Sequence, residues 1–98
     1  MVLVYSEFGR RIGENGALGT EHGHGGVAFV AGTPVVGGTY GRYPDLSIYN
    51  QNSLDQEYIR FRSGSIDFRH IYGTLVDRWL KVPQNSVLGS TFPTLGFL

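Results

Sequence analysis

Residues 19–26 read Gly-Thr-Glu-His-Gly-His-Gly-Gly, so that a carboxylate and two imidazoles, those of Glu21, His22 and His24, fall within four residues. Carboxylate oxygens and neutral imidazole nitrogens are ligands of divalent ions such as zinc or manganese. The flanking glycines allow the backbone to fold tightly enough for neighbouring side chains to converge on one ion. The segment therefore predicts a metal-binding, catalytic loop.

Ligation by all three side chains depends on the shape of the loop. In an extended segment His22 and His24 point to the same side, whereas Glu21 points to the other, so joint ligation requires a bend. Gly19 and Gly23 permit that bend. The alternative is a flexible glycine loop whose histidines are solvated and bind nothing.

A second group of polar residues, 6–11, directly follows an apolar run at the start of the chain. Ligands and catalytic groups of open α/β sheets usually lie beyond the carboxyl ends of the strands. Glu7 could bind a metal or orient one of its ligands, and the planar fork of Arg10 could hold a pair of anionic oxygens. The alternative is that both are ordinary surface residues.

Strands on either side of the glycine-rich segment would position these residues. Residues 2–5 are rich in β-formers and nearly continuous in apolar character, which predicts a strand covered on both faces in a mixed or parallel sheet. Residues 8–26 have no hydrophobic period and are predicted to be an irregular loop. A second strand is predicted at 27–31. Gly-Gly within residues 35–40 predicts a hairpin that forms a small β-ribbon.

The second half of the chain predicts a surface loop and a helix. Residues 41–64 are polar and aromatic without a clean period, with a possible short strand at 58–61. Beyond them, apolar residues recur at spacings of three and four, which indicates one amphipathic helix of about 14 residues. These residues are Phe68, Ile71, Tyr72, Leu75, Val76, Trp79 and Leu80. Ser65 or Asp67 is expected to cap the helix and Pro83 to end it. The apolar tail, 87–98, is expected to pack along an edge.

Composition limits the classes of partner. The 98 residues include eight Lys and Arg and eight Asp and Glu, so no net charge attracts nucleic acid, and nucleic-acid binding is not predicted. No apolar run approaches the ~20 residues of a transmembrane helix. No linker divides the sequence, which we interpret as a single unit over residues 1–98.

Five sequence blocks, in this order, resemble the carboxyl-terminal end of a sulfatase-like family of the alkaline phosphatase superfamily, known as domain of unknown function 1501. The blocks are Ser-Glu-Phe-Gly-Arg (6–10), Glu-Asn-Gly (14–16), Gly-Thr-Glu-His-Gly-His-Gly-Gly (19–26), Gly-Gly-x-Tyr-Gly-Arg-x-Pro (37–44) and Asp-Phe-Arg with a helix that ends in Trp-Leu (67–80). The resemblance covers nearly the whole chain.

The resemblance implies a fold and a context. Members of the family are much longer α/β proteins that are usually exported to the periplasm or the cell exterior. Residues 1–98 are then the carboxyl-terminal part of a larger alkaline-phosphatase-like sandwich, with a core strand, a long glycine-rich loop, a small β-ribbon and one amphipathic helix. The partner implied is the missing amino-terminal part of the same protein, and the 98 residues alone are expected to be inactive.

The resemblance also implies hydrolysis of a small phosphate or sulfate ester by a hydroxyl nucleophile that lies upstream. Glu21 and His22 correspond to a metal-binding Asp-His pair, and His24 corresponds to a further histidine that is a third ligand or a phosphoryl contact. Glu7 becomes a metal ligand or the support of one, and Arg10 an anion clamp. The ion implied is divalent: zinc first, with manganese, calcium or magnesium as alternatives.

Two details complete this hypothesis. Asn15 is expected to orient the loop. Glu21 stands where the family usually has Asp, and the longer side chain keeps the charge but moves the carboxylate oxygens by about one methylene. Two rival interpretations stay open: a non-catalytic, metal-containing protein that binds a surface or a polymer, and a small β-rich interaction module without a metal.

Overall fold

β-Branched residues form the first strand pair. In the computed structural model, which describes residues 1–23, 25–42 and 65–98, strand β1 (Val2–Val4) pairs antiparallel with a strand at Phe29–Ala31. The register sets Leu3 opposite Val30. Both strands were predicted from their apolar runs. A parallel sheet is wrong for this pair, whereas a mixed sheet, which contains antiparallel pairs, stays a prediction.

The predicted burial of the first strand is also wrong. Val2 is 59% exposed and Val4 56% exposed, and only Leu3 between them is half-buried. The physical reason is that β1 pairs with the strand at Phe29–Ala31 edge to edge in a sheet of two strands among the described residues, and edge-to-edge pairing covers neither face of a strand.

The glycine-rich segment contains a second strand pair. Strand β2 (Gly9–Arg10) pairs antiparallel with strand β3 (His22–Gly23), and the strand at Phe29–Ala31 is accordingly β4. The prediction that residues 8–26 are irregular throughout is therefore wrong. The small ribbon predicted at 35–40 is wrong as well, since no strand lies within the described residues 32–42 and the Val36 amide donates to the Phe97 carbonyl at 2.9 Å.

The predicted helix is present but changes its geometry midway. Helix α1 (Phe68–Thr74) continues directly into a π-helix (Leu75–Trp79), in which the Leu80 amide donates to the Leu75 carbonyl at 2.9 Å. The Asp67 carboxylate accepts from the Arg69 amide at 2.9 Å, so the prediction of an Asp67 cap is confirmed. The helix ends before Lys81, which adopts a left-handed backbone with φ of 56°.

A second helix was not predicted. Helix α2 (Gln84–Leu88) begins after Pro83, its N-cap residue, and ends at Gly89, whose left-handed backbone closes it. The first helix ends ahead of Pro83, in agreement with the prediction, and Pro83 also precedes a second helix. The prediction of one helix was wrong because a five-residue helix is too short to show a hydrophobic period.

Within the described residues the chain forms two compact units, which we call the strand unit (2–23 and 25–31) and the helical unit (1, 32–42 and 65–98). In the helical unit the most deeply buried side chains are those of Thr74, Val76, Gln84 and Phe97. Phe68, Trp79 and Leu80 are exposed, so the predicted apolar face of the helix is buried only near its middle.

Hydrogen bonds tie the carboxyl-terminal tail to the helices. The Thr74 hydroxyl donates to the His70 carbonyl at 2.6 Å and accepts from the Leu95 amide at 2.8 Å. The Gln84 side chain donates to the Phe92 carbonyl at 3.1 Å and accepts from the Phe92 amide at 2.8 Å. The tail thus packs against the helices through its backbone, because two buried polar side chains need backbone partners. None of the described helices has the length and apolar character needed to cross a bilayer. The short strand predicted at 58–61 lies outside the described residues.

Candidate functional site

The predicted site residues are held in the ribbon formed by β2 and β3. Gly9 lies opposite Gly23 and Arg10 opposite His22. In addition, the backbone amide of Arg10 donates to the Gly25 carbonyl at 3.1 Å, and the backbone amide of Arg11 donates to the Glu21 carbonyl at 3.0 Å. The ribbon therefore joins the segment that follows β1 to the glycine-rich block 19–26.

Glycine is required in this ribbon because the backbones approach closely. A Cβ atom on Gly9 would overlap the backbone of Gly25, and a Cβ atom on Gly23 would lie 2.7 Å from the carbonyl carbon of Arg10. Both are backbone contacts that no side-chain rotation can relieve. The glycines thus determine which residues pair, and they place Arg10 beside His22.

Arg10 lies on the same side of the ribbon as His22, since directly opposed residues of an antiparallel pair project to one face. Its Nη1 donates to the Thr20 carbonyl at 2.7 Å. This one hydrogen bond fixes the direction of the guanidinium and uses one of its five N–H donors. Arg10 is exposed.

The imidazole of His22 stacks on the ring of Phe8. The two ring centroids lie 4.3 Å apart and the ring planes differ by 7°. Phe8 is 50% exposed, so its ring lies at the surface of the strand unit and not in a core. The stack covers one face of the imidazole and leaves its edge, which carries the nitrogens, uncovered by Phe8.

Glu21 has a different neighbour. Its Oε1 accepts from Asn15 Nδ2 at 2.7 Å, while Asn15 Oδ1 accepts from the amides of Ala17 at 3.0 Å and Gly19 at 3.1 Å. The backbone amide of Asn15 also donates to the Gly19 carbonyl at 2.8 Å. Asn15 therefore orders the turn between β2 and β3, as expected, and holds the Glu21 carboxylate to it.

The described residues do not by themselves form a complete metal site. Glu21 and His22 are consecutive residues with different partners and project to opposite sides of an extended segment. Glu7 is exposed between β1 and β2. Within 1–23, 25–42 and 65–98, no three His, Asp or Glu side chains are close enough to hold an ion. His24 lies outside the described residues.

The donor chemistry nevertheless suits a divalent ion at His22. An exposed imidazole whose ring is held in one plane is a suitable nitrogen ligand for zinc, but a zinc site needs three or four protein ligands. The observed geometry fits His22 as one ligand of such a set. It does not place the Glu21 carboxylate on the same side.

Two contributors to this site were missed from the sequence. Phe8 was regarded only as part of the block 6–10, and Thr20 enters through its backbone carbonyl, which no sequence pattern reveals. The two-residue offset between Phe8 and Arg10 places them on one side of an extended segment, and this was the available signal for Phe8.

In its described residues the chain is thus mixed α/β, with two small sheets, two α-helices and a π-helix, and a glycine-dependent ribbon presents Arg10, His22 and Phe8. The sequence model of the family described as "Protein of unknown function (DUF1501)" matches residues 1–89, and the chain belongs to this family. No curated protein and no solved structure matches the chain.

Proposed function

We propose that this chain contributes part of the active site of a metal-dependent hydrolase of phosphatase or sulfatase type, within the alkaline phosphatase superfamily. The observation that supports the proposal is the pairing of Arg10 with His22 in the ribbon. It places a permanent cation and a nitrogen ligand next to each other on one exposed face. The sequence resemblance supports the same assignment for the larger sandwich fold and for export.

Arg10 would bind the oxygens of the ester group. A guanidinium holds two oxygens of a phosphate or sulfate in its plane, and its charge stabilises the negative charge that develops on them during transfer. The hydrogen bond from Nη1 to the Thr20 carbonyl restrains the side chain before any ligand arrives. Less rotational entropy is then lost on binding.

His22 would hold the divalent ion together with His24 and with ligands outside the described residues. When bound, zinc, or else manganese, calcium or magnesium, would lower the pKa of a hydroxyl nucleophile and neutralise the anionic ester. The proposal places that nucleophile outside these 98 residues. Glu7 stays a proposed support of the metal site.

The role proposed for Glu21 follows from its hydrogen bond with Asn15. With Oε1 engaged by Asn15, the carboxylate has one oxygen left to offer a metal or a ligand. Direct ligation by Glu21 of the ion bound by His22 would need the strand to bend at this point. Glu21→Gln therefore separates two roles, since the amide keeps the size of the side chain but is a poor metal ligand.

Calorimetric titration of zinc into the full chain tests the metal assignment. We expect His22→Ala to weaken zinc binding by at least about tenfold, which corresponds to about 1.4 kcal/mol. His70→Ala is the matched control, because it removes a histidine from the helical unit and should leave zinc affinity unchanged. Equal zinc affinity in wild type and His22→Ala would refute the assignment.

A second measurement separates an enzyme from a binding protein. The full-length protein, loaded with zinc, should hydrolyse aryl phosphate or aryl sulfate esters. Arg10→Lys should reduce kcat/KM, because lysine cannot hold two oxygens in one plane. The alternative is a non-catalytic metal-containing protein that binds a surface or a polymer. Zinc binding without hydrolysis would support that alternative.

A further inference from the structure

We propose that Phe8 is a positioning residue for His22, and that it fixes the plane of the imidazole so that the ring edge is presented to a ligand on the face shared with Arg10. This inference rests on the proposed function, because it assigns Phe8 a role at the same site. The stacked geometry, with centroids 4.3 Å apart and planes 7° from parallel, carries it.

Core packing does not account for Phe8. Half of its surface is exposed, although a phenylalanine that stabilises a core is normally mostly buried. Its ring stacks on the imidazole of His22, across the ribbon. Orientation of the His22 imidazole explains an exposed aromatic ring stacked on it better than core packing does.

The stack can orient His22 without blocking it. The lone pair and the N–H of an imidazole lie in the ring plane, so a neighbour on the ring face leaves both nitrogens accessible. Without Phe8, rotation about χ1 and χ2 would spread the imidazole over several orientations, of which only some face the Arg10 side. Binding would then have to restrict that rotation.

The ribbon maintains this arrangement. Phe8 directly precedes Gly9, whose close approach to the backbone of Gly25 fixes the start of β2. His22 is the first residue of β3 and lies opposite Arg10. The Cα positions of the stacked pair are therefore fixed by backbone pairing, and the stack adds control of the side-chain torsions.

The expected size of the effect is moderate. Aromatic pairs contribute free energies that correspond to about two- to tenfold in an equilibrium constant, so removal of the Phe8 ring should weaken zinc binding by about that factor. Phe8→Leu keeps apolar bulk without a π face, and Phe8→Tyr keeps the face. Affinity should fall in Phe8→Leu and be retained in Phe8→Tyr.

The test combines zinc calorimetry with NMR of the full chain. In the zinc-free protein the ring protons of His22, assigned by comparison with His22→Ala, should be shifted upfield by the Phe8 ring current. Phe8→Ala and Phe8→Leu should lose this shift and bind zinc more weakly, and Phe8→Tyr should preserve both properties. Phe68→Ala, which removes an exposed phenylalanine from the helical unit, should change neither.

The outcomes separate the two proposals. Unchanged zinc affinity in His22→Ala refutes the proposed function. If His22→Ala binds zinc more weakly but Phe8→Leu keeps wild-type affinity, the role of Phe8 is refuted and the proposed function is not. The role of Phe8 is also refuted if the His22 ring protons of the wild type show no upfield shift. If Phe8→Ala fails to fold, the comparison of Phe8→Leu with Phe8→Tyr still decides.

Discussion

Replacement of Gly73 by alanine should destabilise the helical unit, although alanine normally stabilises the interior of a helix. Gly73 lies within α1 and is buried. A Cβ atom at this position would lie 2.6 Å from Gln84 Oε1 and 3.0 Å from Gln84 Cδ. The Gln84 side chain cannot move aside without cost, because both of its polar atoms are bonded to the backbone of Phe92.

The opposing contributions can be compared. Alanine gains about 1 kcal/mol over glycine in a helix interior. Displacement of Gln84 breaks two hydrogen bonds worth about 0.5–1.5 kcal/mol each, and partly buried groups of Phe92 that lose their partners cost about 1–3 kcal/mol more. The net expectation is a loss of about 1–5 kcal/mol. In a Gln84→Ala background the obstacle is absent, so Gly73→Ala should there stabilise by about 0.5–1 kcal/mol.

Wild type, Gly73→Ala, Gln84→Ala and the double variant form a double-mutant cycle. Urea unfolding of these four proteins measures both effects, followed by circular dichroism and by the fluorescence of the single tryptophan, Trp79. The prediction is a change of sign: Gly73→Ala destabilises the wild type and stabilises Gln84→Ala. If Gly73→Ala stabilises both backgrounds, the close contact between Gly73 and Gln84 does not constrain the helix, and the reasoning is refuted.

Two further predictions concern the ribbon and the helix cap. Gly9→Ala should disrupt the ribbon at a cost of more than about 2 kcal/mol, because its Cβ would overlap the backbone of Gly25. Gly16→Ala is the control: the space around Gly16 is open, so this change should alter the free energy of unfolding by less than about 0.5 kcal/mol. Hydrogen exchange of the ribbon amides compares the two variants. Hydrogen bonds from Arg69 lower the pKa of Asp67 from 3.8 to about 2, so this carboxylate stabilises the fold above pH 4, and the contribution disappears as pH falls through 2. Because both side chains are partly exposed, the ionised Asp67 carboxylate should contribute about 1 kcal/mol to the free energy of unfolding. Asp67→Asn retains a cap but carries no charge, so its stability in acid unfolding should not fall between pH 4 and pH 2 through this group.

The parts of the fold that the sequence predicted are those in which side-chain patterns determine the backbone. The runs of β-formers at 2–5 and 27–31 gave β1 and β4, and the spacing of apolar residues together with Asp67 gave the helix and its start. The hairpin at 35–40 was wrong because a Gly-Gly pair permits a turn without enforcing it. In the structure the Val36 amide bonds to the tail instead.

The sequence indicated Arg10, Glu21 and His22 as candidate site residues, but it did not indicate Phe8 or the geometry of the ribbon. The glycine-rich segment gave no hydrophobic period, since its strands pair through close backbone contacts between glycines. The alternation argument for positions 21 and 22 agrees with their separate partners, Asn15 and Phe8. The stack on Phe8 depends on pairing across the ribbon, which cannot be inferred from sequence spacing alone.

The π-helix contains one residue more than a regular helical turn needs. A π-turn closes over five residues and an α-turn over four, so deletion of one residue from Leu75–Trp79 would restore regular α geometry locally. Because both turns carry the chain about once around the axis, the residues beyond the deletion would keep their direction. Gln84 would still face Gly73, and its bonds to Phe92 would be kept. Homologous chains should therefore tolerate loss of one residue in this segment, whereas a deletion within Phe68–Thr74 would rotate everything beyond it by about 100°.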